Sequence, residues 1–208
     1  MSDTAIVHVV EDDESLRDSL DSLLRSVGLA TRLHGSARSF MDAERPDAPG
    51  CLVLDIRLPG MSGLDFQAQL VESGVHLPVI LMTGFGDIPM SVRGMKAGAV
   101  DFLTKPFRDQ DMLDAVATAI ERDKARRAAE GDQADLQGLY NTLSPRERQV
   151  MALVTAGKMN KVVAGDLNLS EITVKIHRGH AMRKMGARSL ADLVRMAEAL
   201  HLKPDGTI

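Results

Sequence analysis

No tryptophan, one tyrosine and five phenylalanines leave aromatics at 3% of the 208 residues, so any core must be packed with aliphatic side chains. Twelve methionines fit that picture as flexible fillers of irregular gaps. The only cysteine, Cys51, excludes an intramolecular disulfide, and its place at the start of an apolar run suits a buried thiol. No apolar stretch approaches the roughly 20 residues that carry a helix across a bilayer. The first residues also lack the basic, apolar and small-residue succession of a secretory leader, so a cytoplasmic protein without a membrane partner is expected. Charge of one sign is not dominant either, with 25 Lys and Arg against 29 Asp and Glu, a formal −4.

That balance is uneven along the chain. Residues 138–208 hold 11 Lys and Arg against 6 Asp and Glu, a net of +5, which leaves −9 for residues 1–137. A basic second half hints at a polyanionic partner. The length suits two small cores.

The first half is organised around Cys51–Gly63, where the apolar run Cys51-Leu52-Val53-Leu54 ends on Asp55 and a Pro/Gly loop follows. Such a run, bounded by breakers, fits a strand buried on both faces of a parallel sheet. Ala5–Val10 is a similar run leading into Glu11, Asp12 and Asp13; Thr31–His34, Leu77–Met82 and Ala99–Leu103 complete five strands. Helical stripes alternate with them: Leu16, Leu20, Leu23, Leu24 and Val27 before Gly28; Phe40 and Met41 behind Ser36; Leu64, Phe66, Leu70 and Val71 before Gly74; and a helix capped by Asp87. The pattern is that of an α/β, doubly wound five-stranded parallel sheet.

In such sheets functional groups gather at the carboxyl ends of the strands. Those ends carry Glu11 and Asp12, Asp55, Thr83 and Lys105. Three carboxylates at one edge repel one another and call for a hard divalent cation, and Mg²⁺ suits them. A lysine and a hydroxyl opposite can hold phosphoryl oxygens. The set supports in-line phosphoryl transfer to a carboxylate.

The acidic pair, the aspartate before Ile-Arg-Leu-Pro-Gly-Met-Ser-Gly, the Thr-Gly and the Lys-Pro-Phe together resemble the receiver domain of two-component response regulators, over about the first 120 residues. The resemblance implies a flavodoxin-like receiver with Asp55 as phosphoacceptor and Mg²⁺ held by Glu11, Asp12, Asp55 and the backbone carbonyl of Arg57. It implies that Thr83 and Lys105 bind the phosphoryl oxygens, and that Thr83 and Phe102 form a conformational switch. Counting back from Arg17 sets the acidic pair at Glu11 and Asp12 and leaves Asp13 in the loop.

Met112–Gln137 is helical in character, and Glu121–Asp135 carries no apolar residue beyond alanine, so it reads as an exposed extension of the last receiver helix, a linker that Gly131 and Gly138 could break. Leu143-Ser144-Pro145-Arg146-Glu147 then reads as a capping box. A helix through Val150, Leu153 and Val154 follows, a short one capped by Asn160, a third from Glu171 to Met185 capped by Ser170, and a last from Ser189 with Leu190, Leu193, Val194, Met196 and Ala197 inward. Four short helices with a brief turn between the middle two make an all-α helix-turn-helix pattern. The runs Leu-Ser-Pro-Arg-Glu-Arg-Gln-Val, Gly-Lys-Met-Asn-Lys and Leu-Ser-Glu-Ile-Thr-Val-Lys-Ile-His resemble the LuxR-type DNA-binding domain over about residues 140–200. A receiver joined to it resembles the FixJ/NarL regulators, on the FixJ side by Gly84–Met90 and Ser-Leu-Ala-Asp-Leu-Val.

Val174, Ala181 and Met185 should face the core, leaving Thr173, Lys175, Ile176, Arg178, Gly179, His180 and Arg183 toward DNA. His177 is expected to pack, and Asn160 and Lys161 to meet phosphates. The expected boundaries are 1–121 for the receiver, 122–139 for the helical linker and 140–208 for the DNA-binding domain. The whole reads as a transcription regulator, not an enzyme, whose only chemistry is its own phosphorylation and dephosphorylation. Its implied partners are a cognate histidine kinase, double-stranded promoter DNA and a second copy on phosphorylation, with RNA polymerase a candidate. The alternative is a phosphorylation-independent DNA-binding or interaction protein with a receiver fold. A haloacid-dehalogenase-type phosphohydrolase wants a second acid two residues after its aspartate, where this chain has Arg57.

Overall fold

The computed structural model describes residues 4–84 and 88–203; the cap expected at Asp87 lies outside them. The chain divides into two compact units, Met1–Arg127 and Ala128–Ile208.

From the first unit the elements run β1 (Ile6–Val10), α1 (Glu14–Ser26), β2 (Ala30–His34), α2 (Ala37–Asp42), β3 (Gly50–Asp55), α3 (Gly63–Glu72), β6 (Val79–Thr83), α4 (Ile88–Lys96), β7 (Asp101–Thr104) and α5 (Asp109–Asn141), whose residues from Ala128 belong to the second unit. Two short strands in the loop after Asp55, β4 (Arg57–Leu58) and β5 (Met61–Ser62), form an antiparallel pair. The five main strands make one parallel sheet in the order β2-β1-β3-β6-β7. Every residue of β3 and β6 is buried, as strands covered on both faces require. Val7, Val9, Cys51, Val53, Ile80 and Met82 pack on one side with α1 and α5, and Leu52, Leu54, Leu81 and Phe40 on the other with α2 and α3.

Register delivers the functional ends together. Val10 pairs with Leu54, Asp55 with Met82 and Thr83 with Thr104, so Glu11, Asp55, Thr83 and Lys105 emerge at neighbouring places along one edge. Asp13 is not a loop residue only: its side chain accepts the Leu16 N–H and caps α1. Val27 and Val71, placed on apolar stripes by their spacing, are exposed at the ends of α1 and α3, where the helix has already turned away from the sheet.

The helix expected through the linker segment is continuous, without the breaks its two glycines could have made. α5 passes unbroken through Gly131 and Gly138, because the alanines and long charged side chains around them sustain a helix against about 1 kcal/mol lost at each glycine. Nor is the segment uniformly exposed. Asp123 is fully buried, accepts the Gly50 N–H at 3.0 Å and pairs with Arg126 and Arg127. A carboxylate among alanines and charges gives no periodic signal of that role.

The middle of β1 and the carboxyl end of β2 hold a buried histidine pair. His8 Nδ1 lies 3.3 Å from His34 Nε2, the rings stack, and both meet Phe40 edge-on. Burial, then the charges of His34, Arg32 and Arg45, lower His8 from 6.5 to about 4, and burial lowers His34 as well. The unfolded chain therefore binds these protons first. Their stabilisation is complete above pH 6.5 and is lost as pH falls towards 4, by up to about 3 kcal/mol for His8 before screening is discounted. Urea midpoints at pH 7 and pH 4.5 should differ less in His8→Gln than in the wild type; equal differences would refute the assignment.

The second unit contains α6 (Pro145–Thr155), α7 (Asn160–Leu167), α8 (Glu171–Met185) and α9 (Leu190–Ala199). Val150, Met151, Val163, Val174, Ala181, Met185 and Leu193 form its core, joined by Tyr140 and Leu143. Asn168 (φ +54°) makes the tight turn between α7 and α8, and Gly186 (φ +71°) stops α8. Two expectations fail here. Met159, not Asn160, precedes α7, without a side-chain cap, because Asn160 is already helical and its Oδ1 accepts from Arg178 at 3.3 Å. Leu190 is exposed rather than inward, since the first turn of α9 lies at the rim of the core.

Candidate functional site

At the carboxyl edge of the sheet, Lys105 Nζ lies 2.6 Å from Glu11 Oε2 and 2.8 Å from Asp55 Oδ2. Glu11, Asp55 and Thr83 are buried and Asp12 is exposed. Asp55 is held from its other side by the Arg57 N–H, which donates to Oδ1 at 3.0 Å. Lys105 is fixed through its own backbone, whose N–H donates to the Thr83 carbonyl at 2.7 Å, and the following Lys105–Pro106 peptide is cis. Arg17 Nη1 donates to the Glu11 carbonyl at 2.8 Å and braces the acidic turn.

Burial raises the Glu11 carboxyl above its ordinary value, although the hydrogen bond from Lys105 opposes it. Burial would lower the Lys105 ammonium, but its bonds to Asp55 and Glu11 hold it high. The edge therefore stores a cation between two buried acids. Oxygens of Glu11, Asp12 and Asp55 lie within 4.8 Å of one another, an all-oxygen donor set that fits a hard cation such as Mg²⁺. Phe102 sits on β7 opposite Leu81, half-buried against the α3 side of the core.

In the second unit, α8 presents Lys175, Ile176 and Arg183 exposed, and Thr173, Arg178, Gly179 and His180 half-buried. Lys161 is exposed and Asn160 half-buried at the start of α7. Thr173 is engaged in the cap, its Oγ1 2.8 Å from Ser170 Oγ. A Cβ built on Gly179 meets nothing within 4 Å, so this glycine is not required by packing. His177 is half-buried, as expected of a packing residue.

Residues 7–117 match the response regulator receiver domain, and residues 141–197 the LuxR family of bacterial regulatory proteins. The chain belongs to the two-component response regulators. It is 59% identical over 206 residues to nodulation protein W of Bradyrhizobium diazoefficiens, covering 99% of this chain and 91% of that one. It is 46% identical over 194 residues to the transcriptional regulatory protein FixJ of Rhizobium meliloti, covering 93% and 95%. The solved structure of response regulator StyR matches with a TM-score of 0.83 at 46% identity, over 94% of this chain and 98% of that one. The regulator therefore combines a receiver with a LuxR-type DNA-binding domain, and among its described residues no helix is long and apolar enough to cross a membrane.

Glu147 has a second role that its sequence context does not reveal. Glu147 was legible as the reciprocal half of the Ser144 capping box, and it accepts the Ser144 N–H at 2.8 Å. It also binds Lys184 Nζ at 2.7 Å and lies 3.5 Å from His180 Nδ1, tying α8 to α6. Burial would raise this carboxyl, but Lys184 and the Ser144 N–H bring it down to about 2. Its stabilisation is present above pH 4.5 and lost as pH falls towards 2. Glu147→Ala should destabilise the second unit by about 2 kcal/mol, from the lost cap and a solvent-screened ion pair, and Glu147→Gln by about half of that. Thermal melts of the two variants check this: no loss in Glu147→Gln would remove the ion pair from the account, and equal losses would remove the cap.

Proposed function

We propose that this response regulator is a phosphorylation-controlled, DNA-binding transcription regulator whose phosphoacceptor is Asp55, with functional boundaries near 1–121, 122–139 and 140–208. The observation that carries this reading is the Lys105 ammonium between Glu11 and Asp55 at the sheet edge, with Asp12 and Thr83 beside them. Glu11, Asp12, Asp55 and the Arg57 carbonyl would hold Mg²⁺, which neutralises charge around the transferring group. An Asp55 oxygen forms the new O–P bond while the P–N bond to the imidazole of a histidine kinase breaks. The Arg57 N–H orients that carboxylate. Lys105 exchanges its contact with Asp55 for one with a phosphoryl oxygen, and the Thr83 hydroxyl binds another.

Movement of Thr83 towards the phosphoryl group opens space for Phe102, which shifts a two-state equilibrium at the face formed by α4, β7 and α5. Receivers then pair, and two α8 helices meet half-sites about one DNA turn apart. Lys175, Arg178 and Arg183 hold phosphates and guanine edges, Ile176 meets a thymine methyl, Asn160 and Lys161 take the phosphate backbone, and Thr173, Gly179 and His180 line the same approach. RNA polymerase is a candidate downstream partner at the promoter. Sedimentation mass with Mg²⁺ and beryllofluoride tests the pairing: a monomer should become a dimer only with both present and Asp55 intact. Unchanged mass would overturn receiver pairing.

A further inference from the structure

The open side of α8 carries two large aliphatic side chains one turn apart, Ile172 at 71% and Ile176 at 51% exposure. Only Ile176 has a role in the reading above. Ile172 contributes nothing visible to the unit: Val174, two residues on, is fully buried in the core, while Ile172 belongs to no core cluster. Isoleucine also favours a helix less than alanine does. Its position is nevertheless well fixed. Ser170 caps the helix through the Thr173 N–H at 3.1 Å, and a β-branched side chain in a helix has one strongly preferred rotamer.

The surroundings specify the partner. Lys175, Arg178 and Arg183 follow on the same helix, Lys161 lies in the first turn of α7 and Lys158, paired with Asp166, just before it, and Glu171 is the one acid between residues 171 and 185. Branched aliphatics set among cations complement a major groove, where thymine 5-methyl groups lie between acceptor edges and phosphates. The N-terminal residues of a recognition helix are those that reach base edges. Four residues at 1.5 Å rise separate the two isoleucines by about 6 Å along the axis, close to two base-pair steps.

We propose that Ile172 is a specificity-determining residue of α8 that reads a thymine 5-methyl group about two base pairs from the one met by Ile176. The inference rests on the DNA-binding reading given above. To test it, the full chain with Mg²⁺ and beryllofluoride selects duplexes from a random pool, and each thymine of the preferred duplex is then replaced singly by uracil, which removes only the methyl group. One replacement should weaken the wild type about 4-fold and leave Ile172→Ala unaffected, and a second, about two steps away, should behave so with Ile176→Ala. Ile172→Val, which keeps a branch, should retain part of the effect. Ile172→Ala losing affinity equally on thymine and uracil duplexes, or losing none, would overturn the assignment. Failure to enrich any duplex would instead overturn DNA binding itself, and the role of Ile172 with it.

Discussion

Asp55→Asn is expected to abolish phosphoryl uptake from an acyl phosphate or a phosphorylated kinase. The amide keeps the shape of the carboxylate and can still accept the Arg57 N–H that holds Oδ1 at 3.0 Å. It cannot attack phosphorus, and it removes one of the three oxygen donors gathered within 4.8 Å. Lys105 retains Glu11 as a buried partner at 2.6 Å, so the edge should stay folded while the chemistry stops. Phosphate-affinity electrophoresis after incubation with donor and Mg²⁺ reads the result, with circular dichroism as the folding control. Uptake in the folded variant at the wild-type level would place the acceptor elsewhere.

The second large effect is expected at Gly63, where α3 leaves the Asp55 loop. A Cβ there would lie 2.4 Å from the Asp55 carbonyl oxygen and 2.8 Å from Ile56 Cα, both backbone atoms that cannot swing aside. The approach is held by the Gly63 N–H, which donates to the Ile56 carbonyl at 2.8 Å. Gly63→Ala must push the end of β3 or the start of α3 outward, so a loss of about 3 kcal/mol is expected, together with weaker Mg²⁺-dependent phosphorylation. Gly131→Ala is the contrast. Its helix position has open space, and alanine there should stabilise by about 0.5–1 kcal/mol. Urea unfolding of the two variants distinguishes close approach from a general effect of removing glycine, and a neutral Gly63→Ala would show that the loop can yield.

The sheet and its acidic edge were legible because local signals agreed. Apolar runs stop at Glu11, Asp55, Thr83 and Lys105, each followed by turn residues, and parallel register then forces those ends together. The cap at Ser144 and the stop at Gly186 are equally local. What escaped depends on residues distant in sequence. Asp123 is buried because it meets Gly50 across 73 residues, and Glu147 meets Lys184 across 37. Neither partner leaves a mark within a window of helical length. The same holds for His8 and His34, which are neighbours only because β1 and β2 pair. Asn160 shows the opposite failure: a residue with cap chemistry is diverted by Arg178, a partner 18 residues away.

Affinity for a selected operator duplex, measured with and without Mg²⁺ and beryllofluoride in the wild type and in Asp55→Asn, tests the central claim most directly. Coupling between the phosphoryl site and α8 predicts that the wild type tightens by about 5- to 150-fold when both ligands are present, while Asp55→Asn does not respond. Equal affinity in every condition would contradict phosphorylation control and leave a DNA-binding protein whose acidic edge serves another purpose.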